Sequence, residues 1–170
     1  MSNTRSRIRN CVSREPGIHF NEILRRLDIA TGQTQYHLRR LVRSGKLEKV
    51  SVAGRTHYYP PTFSPWERQA IALLRRETTR EIVLFLLRNE PSAPGKIAER
   101  LDLARSTIEW HLSRLVEHDI VSKERAESGS QVVTLTDDQS VYRLLREIEP
   151  RLLDRVVDRF SRLTDELLEE

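Results

Sequence analysis

A chain of 170 residues has room for one ordinary domain or two small ones, and 38% apolar against 32% charged residues suits small cores under much solvated surface. The longest apolar run, Ile82 to Leu87, is far short of a bilayer span, the N-terminus carries no apolar leader, and one cysteine, Cys11, excludes an internal disulfide; a cytoplasmic protein, nucleoid-associated and without membrane contact, is expected. The net charge of +4 is uneven: Met1 to Pro61 holds 12 Lys+Arg against 4 Asp+Glu, Thr78 to Glu149 holds 10 against 13, and the segment from Pro150 holds 4 against 6, so a polyanion partner is expected for the first third.

In chain order, a first helix is expected over about Arg5–Arg14, stopped by Pro16-Gly17. A second covers about Phe20–Leu27, with Ile23 and Leu27 facing inward. The turn Asp28-Ile29-Ala30 leads to a third helix from about Thr31 to Ser44, ended by Gly45. "LEKVSVAGRTHYYP" has two β-prone runs around Ala53-Gly54 and predicts a hairpin. Pro60-Pro61 break the chain, and Ser64-Pro65-Trp66-Glu67 opens a linker helix to about Arg76. Thr78 and Glu81 repeat the capping spacing, which predicts a bend there.

The pattern then returns. "LDIATGQTQYHLRRLV" (Leu27–Val42) and "LDLARSTIEWHLSRLV" (Leu101–Val116) match at eight of sixteen positions at a constant offset of 74. Ile8 and Ile82, Ile23 and Ile97, and Lys49 and Lys123 share that offset, so one unit of roughly 55–60 residues occurs twice. The second copy predicts helices over about Thr79–Asn89, Gly95–Leu101 and from Ser106, which has a capping partner in Glu109. Its hairpin turns at Ser128-Gly129-Ser130. Helices over Asp137–Ile148 and about Arg151–Leu168 follow, and Leu153, Val156, Phe160, Leu163 and Leu167 step by 3 and 4, a seam suited to homodimerisation.

Three helices and a two-stranded hairpin make a winged helix-turn-helix. The expected fold is mainly α with small β-hairpin wings: two tandem winged helix-turn-helix domains, 1–61 and 78–136, joined by a linker helix at 62–77 and followed by C-terminal helices at 137–170.

On a wheel of 100° per residue, Thr34, Leu38 and Leu41 form the inner side of the third helix. Gly32, Tyr36, Arg39 and Arg43 lie opposite, flanked by Gln35 and Arg40. Guanidiniums, an amide and a phenol on one stripe are the groups that meet base edges and phosphates in a major groove. The expected contacts with double-stranded DNA are Thr31, Gly32, Gln33, Gln35, Tyr36, Arg39, Arg40, Arg43, Lys46 and Lys49, with Arg55 and His57 reaching a flanking groove from the hairpin.

The stretch "GIHFNEILRRLDIATGQTQYHLRRLVRSGKLEKV…GRTHYYP" resembles the winged helix-turn-helix regulators of the ArsR/MarR-like group, and the two-unit layout is similar to tandem winged-helix regulators of archaea. The resemblance covers Thr4–Pro61 and Thr78–Leu135 and implies a transcription regulator that binds DNA as a dimer. Metal-sensing ArsR members place paired cysteines on a helix; this chain has none.

In the second copy the same wheel puts Ser106, Trp110, Ser113 and Glu117 outward, with Glu109 beside them. Carboxylates repel phosphate, so this unit is expected to bind DNA weakly or not at all, and Trp110 to meet a protein or effector instead. Arg105, Ser106, Thr107, Trp110 and Arg114 are the residues available for that secondary contact with DNA or a partner. The alternatives are tandem reading of DNA by both units and an adaptor that docks proteins. His37 and His111 are expected to anchor their helices; His111, His118 and Asp119 have generic spacing, so no metal or other cofactor is expected. Without a phosphate loop, nucleophile elbow or HExxH, no enzymatic role is expected.

Overall fold

The four-residue step from Ile8 to Val12 sets both on one stripe of helix α1 (Asn3–Arg14), where both are fully buried. In this computed structural model, which describes residues 3–89 and 91–148, the chain divides into two units, Met1–Ala72 and Leu73–Glu170. In the first, α1 is followed by β1 (Ile18–His19), α2 (Phe20–Leu27), α3 (Thr31–Arg43), β2 (Glu48–Val52), β3 (Arg55–Tyr59) and all but the last two residues of α4 (Pro65–Leu74). Ile8, Val12, Ile18, Ile23, Leu38, Leu41 and Leu47 form its core, with Phe20, Leu27, Ile29, Val42 and Tyr58 packed at the edge. Each such aliphatic side chain withdrawn from water stabilises the unit by about 1.5–3 kcal/mol.

The first wing has three strands, in the order β1-β3-β2, rather than the two expected. Ile18 and His19 pair with Tyr58 and His57, and Gly17 N–H donates to the Tyr58 carbonyl at 2.8 Å. Two residues carry no readable alternation, which is why the sequence hid this strand. The β2–β3 turn is the two residues Ala53 and Gly54, both at positive φ, the geometry that matches the twist of a tight hairpin. The capping box that opens α4 forms as expected: Ser64 N–H donates to Glu67 Oε2 at 2.8 Å and Glu67 N–H to Ser64 Oγ at 3.2 Å. Tyr59 Oη donates to the Arg68 carbonyl, and Arg68 pairs with Glu48 at 3.2 Å, so the start of α4 is fastened to the first wing.

The second unit holds α5 (Glu77–Arg88), α6 (Pro94–Leu101), α7 (Arg105–Glu117), β4 (Val121–Arg125), β5 (Gln131–Leu135) and α8 (Asp138–Ile148). Ile82, Ile97, Ile108, Leu112, Leu115, Ile120 and Val133 are all fully buried. The offset of 74 persists in the backbone. Asp28 and Asp102 end α2 and α6 in the left-handed region at φ 49° and 53°. Gly45 and Asp119 share the next such position, at φ 68° and 55°. A bridge between Ser92 and Val133 stands where β1 pairs with β3 in the first unit.

Two expected caps are corrected. α7 starts at Arg105 after Ala104, so Ser106 lies inside the helix and Glu109 is turned elsewhere. α5 begins at Glu77 after Arg76, which places Thr78 inside the first turn. Asp137 caps α8: Ser140 N–H and Oγ–H donate to its two carboxylate oxygens at 3.0 and 2.6 Å. Those bonds hold the Asp137 carboxyl below its ordinary pKa. The expected helix over about Arg151–Leu168, with the seam from Leu153 to Leu167, lies outside the described residues.

Candidate nucleic-acid interface

α3 buries Thr34, Leu38 and Leu41 on the side the wheel assigns to the core. Thr34 Oγ donates back to the Ala30 carbonyl at 3.2 Å, satisfying its buried hydroxyl. Thr31, Gly32, Gln33, Gln35, Tyr36, Arg39, Arg40 and Arg43 are all exposed on the remaining surface, and Lys46 and Lys49 beyond the helix are exposed too. The helix stops in a Schellman turn: Gly45 N–H donates to Val42 O at 3.0 Å and Lys46 N–H to Leu41 O at 2.9 Å.

The cations of this unit fall into two groups. Arg26 is bonded to Glu15 and to Glu22, and Arg7 donates to the Leu27 carbonyl at 2.7 Å. Arg39, Arg43, Lys46, Lys49 and Arg55 form no ion pair among the described residues. Unneutralised charge therefore lies on the ridge of α3 and the adjacent wing, as it does at the exposed Arg9, Arg14 and Arg25, which also form no ion pair among the described residues. Arg40 lies over the Tyr36 ring, 5.6 Å from its centroid, and donates to the Tyr36 hydroxyl at 2.7 Å. That bond, with the guanidinium charge behind it, lowers the pKa of the phenol. Tyr36 is 52% exposed, so the pair presents a flat aromatic and a fixed guanidinium to whatever approaches.

His57 is the correction among the expected contacts. It is 4% exposed, and its Nδ1 lies 2.6 Å from the Gly17 carbonyl. A carbonyl only accepts, so Nδ1 carries the hydrogen and the ring ties β3 to the turn before β1. Arg55, two residues earlier on β3, is exposed beside the hairpin turn. Tyr58 escapes a reading of the sequence alone. It is half-buried opposite Lys49 in the ladder and packed against the core; burial raises its pKa, and the Arg39 charge works against that. The tyrosine-rich run of β3 is the available signal, but it does not say which tyrosine stays partly exposed.

The equivalent surface on α7 is built from different charges. Arg105, Ser106 and Thr107 are exposed, and Trp110 is 49% exposed with the Arg114 guanidinium 4.1 Å from its ring centroid. Ser113 and Glu117 replace Arg39 and Arg43. Glu109 Oε2 accepts from Lys123 Nζ at 2.7 Å, which neutralises the counterpart of Lys49. His111 Nδ1 meets Thr79 Oγ1 at 3.2 Å, and burial, then Arg76 and Arg114, lower its pKa. His37, its counterpart, keeps a buried Nδ1 with no hydrogen-bond partner among the described residues. Among the described residues no group of three or more His, Cys, Asp or Glu is placed to hold a metal, and no helix is long and apolar enough to cross a membrane.

Family comparison matches both units: one family described as an N-terminal HTH domain over residues 2–71, and one described as a helix-turn-helix domain over residues 73–124. Both units are winged helix-turn-helix domains. A tandem helix-turn-helix chain of this kind is similar to the uncharacterized HTH-type transcriptional regulator MJ1398 of Methanocaldococcus jannaschii, 28% identical over 133 residues, 78% of this chain. The chain spans about a third of the length of that relative. Among solved structures, reduced HlyU from Vibrio cholerae N16961 is 24% identical, covering 49% of this chain and 80% of its own, with a TM-score of 0.39. Reduced AbfR bound to DNA is 19% identical, covering 81% of this chain and 93% of its own, with a TM-score of 0.42.

Proposed function

We propose that this chain is a sequence-specific, DNA-binding transcription regulator that lays α3 of its first unit in the major groove. One observation carries the reading: Arg39, Arg43, Lys46 and Lys49 stand exposed and, among the described residues, without ion pairs on the third helix of a helix-turn-helix domain and the chain just after it. Guanidiniums left unpaired beside an exposed tyrosine and glutamines suit a surface that meets phosphates and base edges. The matched families and the regulator from Methanocaldococcus jannaschii support the same class.

The chain acts as a homodimer, one α3 per protomer in successive major grooves about 34–36 Å apart. The second unit stays off DNA and offers Trp110 to a protein or effector. Its exposed indole and the Glu109–Lys123 pair favour that arrangement over tandem reading. A mobility-shift titration of Arg39→Ala and Arg43→Ala tests the reading. Each change is expected to cost about 1–3 kcal/mol of binding where it removes a base contact, and to weaken all sequences alike where it removes a phosphate contact. Variants that shift DNA like the wild type overturn it, and a partner captured through Trp110 without DNA affinity would favour the adaptor.

A further inference from the structure

We infer that Glu109 holds down the second unit's affinity for DNA, and that it does so by taking the place of a phosphate on Lys123. The inference rests on the proposed division of labour between the two units. The 74-residue repeat supplies an internal control that few single chains offer. Position for position, Tyr36, His37 and Arg40 on α3 become Trp110, His111 and Arg114 on α7. The rings keep the same arrangement: Tyr36 is edge-on to His37 at 5.2 Å and Trp110 to His111 at 4.8 Å, each with an arginine one turn on lying over the aromatic. The scaffold of the exposed face is therefore retained.

Arg39 and Arg43 give way to Ser113 and Glu117, and beside them the wing-side pair changes too. Gln35 and Lys49 become Glu109 and Lys123. Lys49 is exposed and forms no ion pair among the described residues, whereas Lys123 Nζ sits 2.7 Å from Glu109 Oε2 with both side chains partly covered. A carboxylate at that distance acts on a lysine as a phosphate oxygen would. It supplies the counter-charge, so no counterion is released when DNA arrives, and it adds repulsion toward the incoming backbone. Arg105 and Arg125 remain exposed around it, a usable set of phosphate ligands once that carboxylate is gone. Glu117 lies at the far end of α7, away from any ion pair among the described residues.

The test uses the 170-residue chain carrying Arg39→Ala and Arg43→Ala, so that the first unit no longer masks the second. Fluorescence anisotropy on a random-sequence duplex is followed across a salt series, with circular dichroism to confirm folding. Adding Glu109→Gln, which restores the first unit's chemistry at that position, is expected to tighten binding by about three-fold or more at low salt and to steepen the salt slope by about 0.9, one phosphate contact. Lys123→Ala on top of Glu109→Gln is expected to abolish the gain. Glu117→Gln removes one negative charge from the same helix and is expected to give the smaller effect. No gain from Glu109→Gln, a gain that survives Lys123→Ala, or an equal gain from Glu117→Gln each overturns the inference. Failure of Arg39→Ala and Arg43→Ala to weaken the parent protein would instead strike the proposed function, and the two failures are read from different titrations of one experiment.

Discussion

At Gly32, in the first turn of α3, a Cβ would meet nothing within 4 Å, so nothing inside the protein requires a glycine there. Glycine in a helix is less favourable than alanine by up to about 1 kcal/mol. Gly32→Ala is therefore expected to raise stability by a few tenths of a kcal/mol or more in chemical denaturation. If DNA approaches the α3 backbone at this point, the same change weakens binding in anisotropy, and the two readouts move in opposite directions. His111 carries a prediction of another kind. Its pKa is lowered by burial and by Arg76 and Arg114, so the unfolded chain takes up the proton first as pH falls. Stability from neutral His111 is present above the ordinary imidazole value, about 6.5, and is lost as pH drops through the lower folded value. Melting temperature is expected to fall as pH drops below about 6.5, and His111→Gln to flatten that fall. His57 marks the limit of reading residues one at a time. Flanked by Thr56 and Tyr58, it gave no apolar alternation to say which face of β3 turns inward, and the core took it.

Among elements, the helix ends separate what was legible from what was not. Ser64 and Glu67 cap α4, while Ser106 and Glu109, at the same spacing, do not cap α7. The motif marks a helix start only where the chain enters at its first residue. In α7 the left-handed Asp102 turns the chain two residues earlier, as Asp28 does before α3, so the repeat was the better guide than the motif. Ser64→Ala is accordingly expected to cost about 1 kcal/mol in urea denaturation and Ser106→Ala close to nothing. Gly45 and Asp119 show the same contrast at the helix C-terminus. Both close a Schellman turn at positive φ, and no Cβ contact hinders position 45. Gly45→Ala is expected to destabilise the first unit by about 1 kcal/mol through its backbone alone, and Asp119→Gly to stabilise the second by a similar or smaller amount. A chevron or equilibrium melt that ranks them the other way would show that Asp119 makes up the difference with its side chain.

Across the whole molecule, the offset of 74 made the duplication, both winged folds and the outward ridge of α3 readable, because buried aliphatics and turn residues obey short-range rules. Pairings between distant strands and helices, such as β1 with β3 or Glu109 with Lys123, had no such local signature. Stoichiometry on DNA belongs to this scale, and Lys49 gives a way to measure it, since an exposed lysine without an ion pair meets phosphate as a simple charge. In a two-protomer complex each chain contributes one α3 and one Lys49, so Lys49→Ala should lower the salt slope by about 1.8, whereas a single chain reading through both units would lose only about 0.9. Light scattering on a saturated duplex with half-sites about 34–36 Å apart supplies the independent count, two chains in the first case and one in the second. A slope change near 0.9 together with one chain per duplex would rule out the two-protomer complex and leave a single α3 on the duplex.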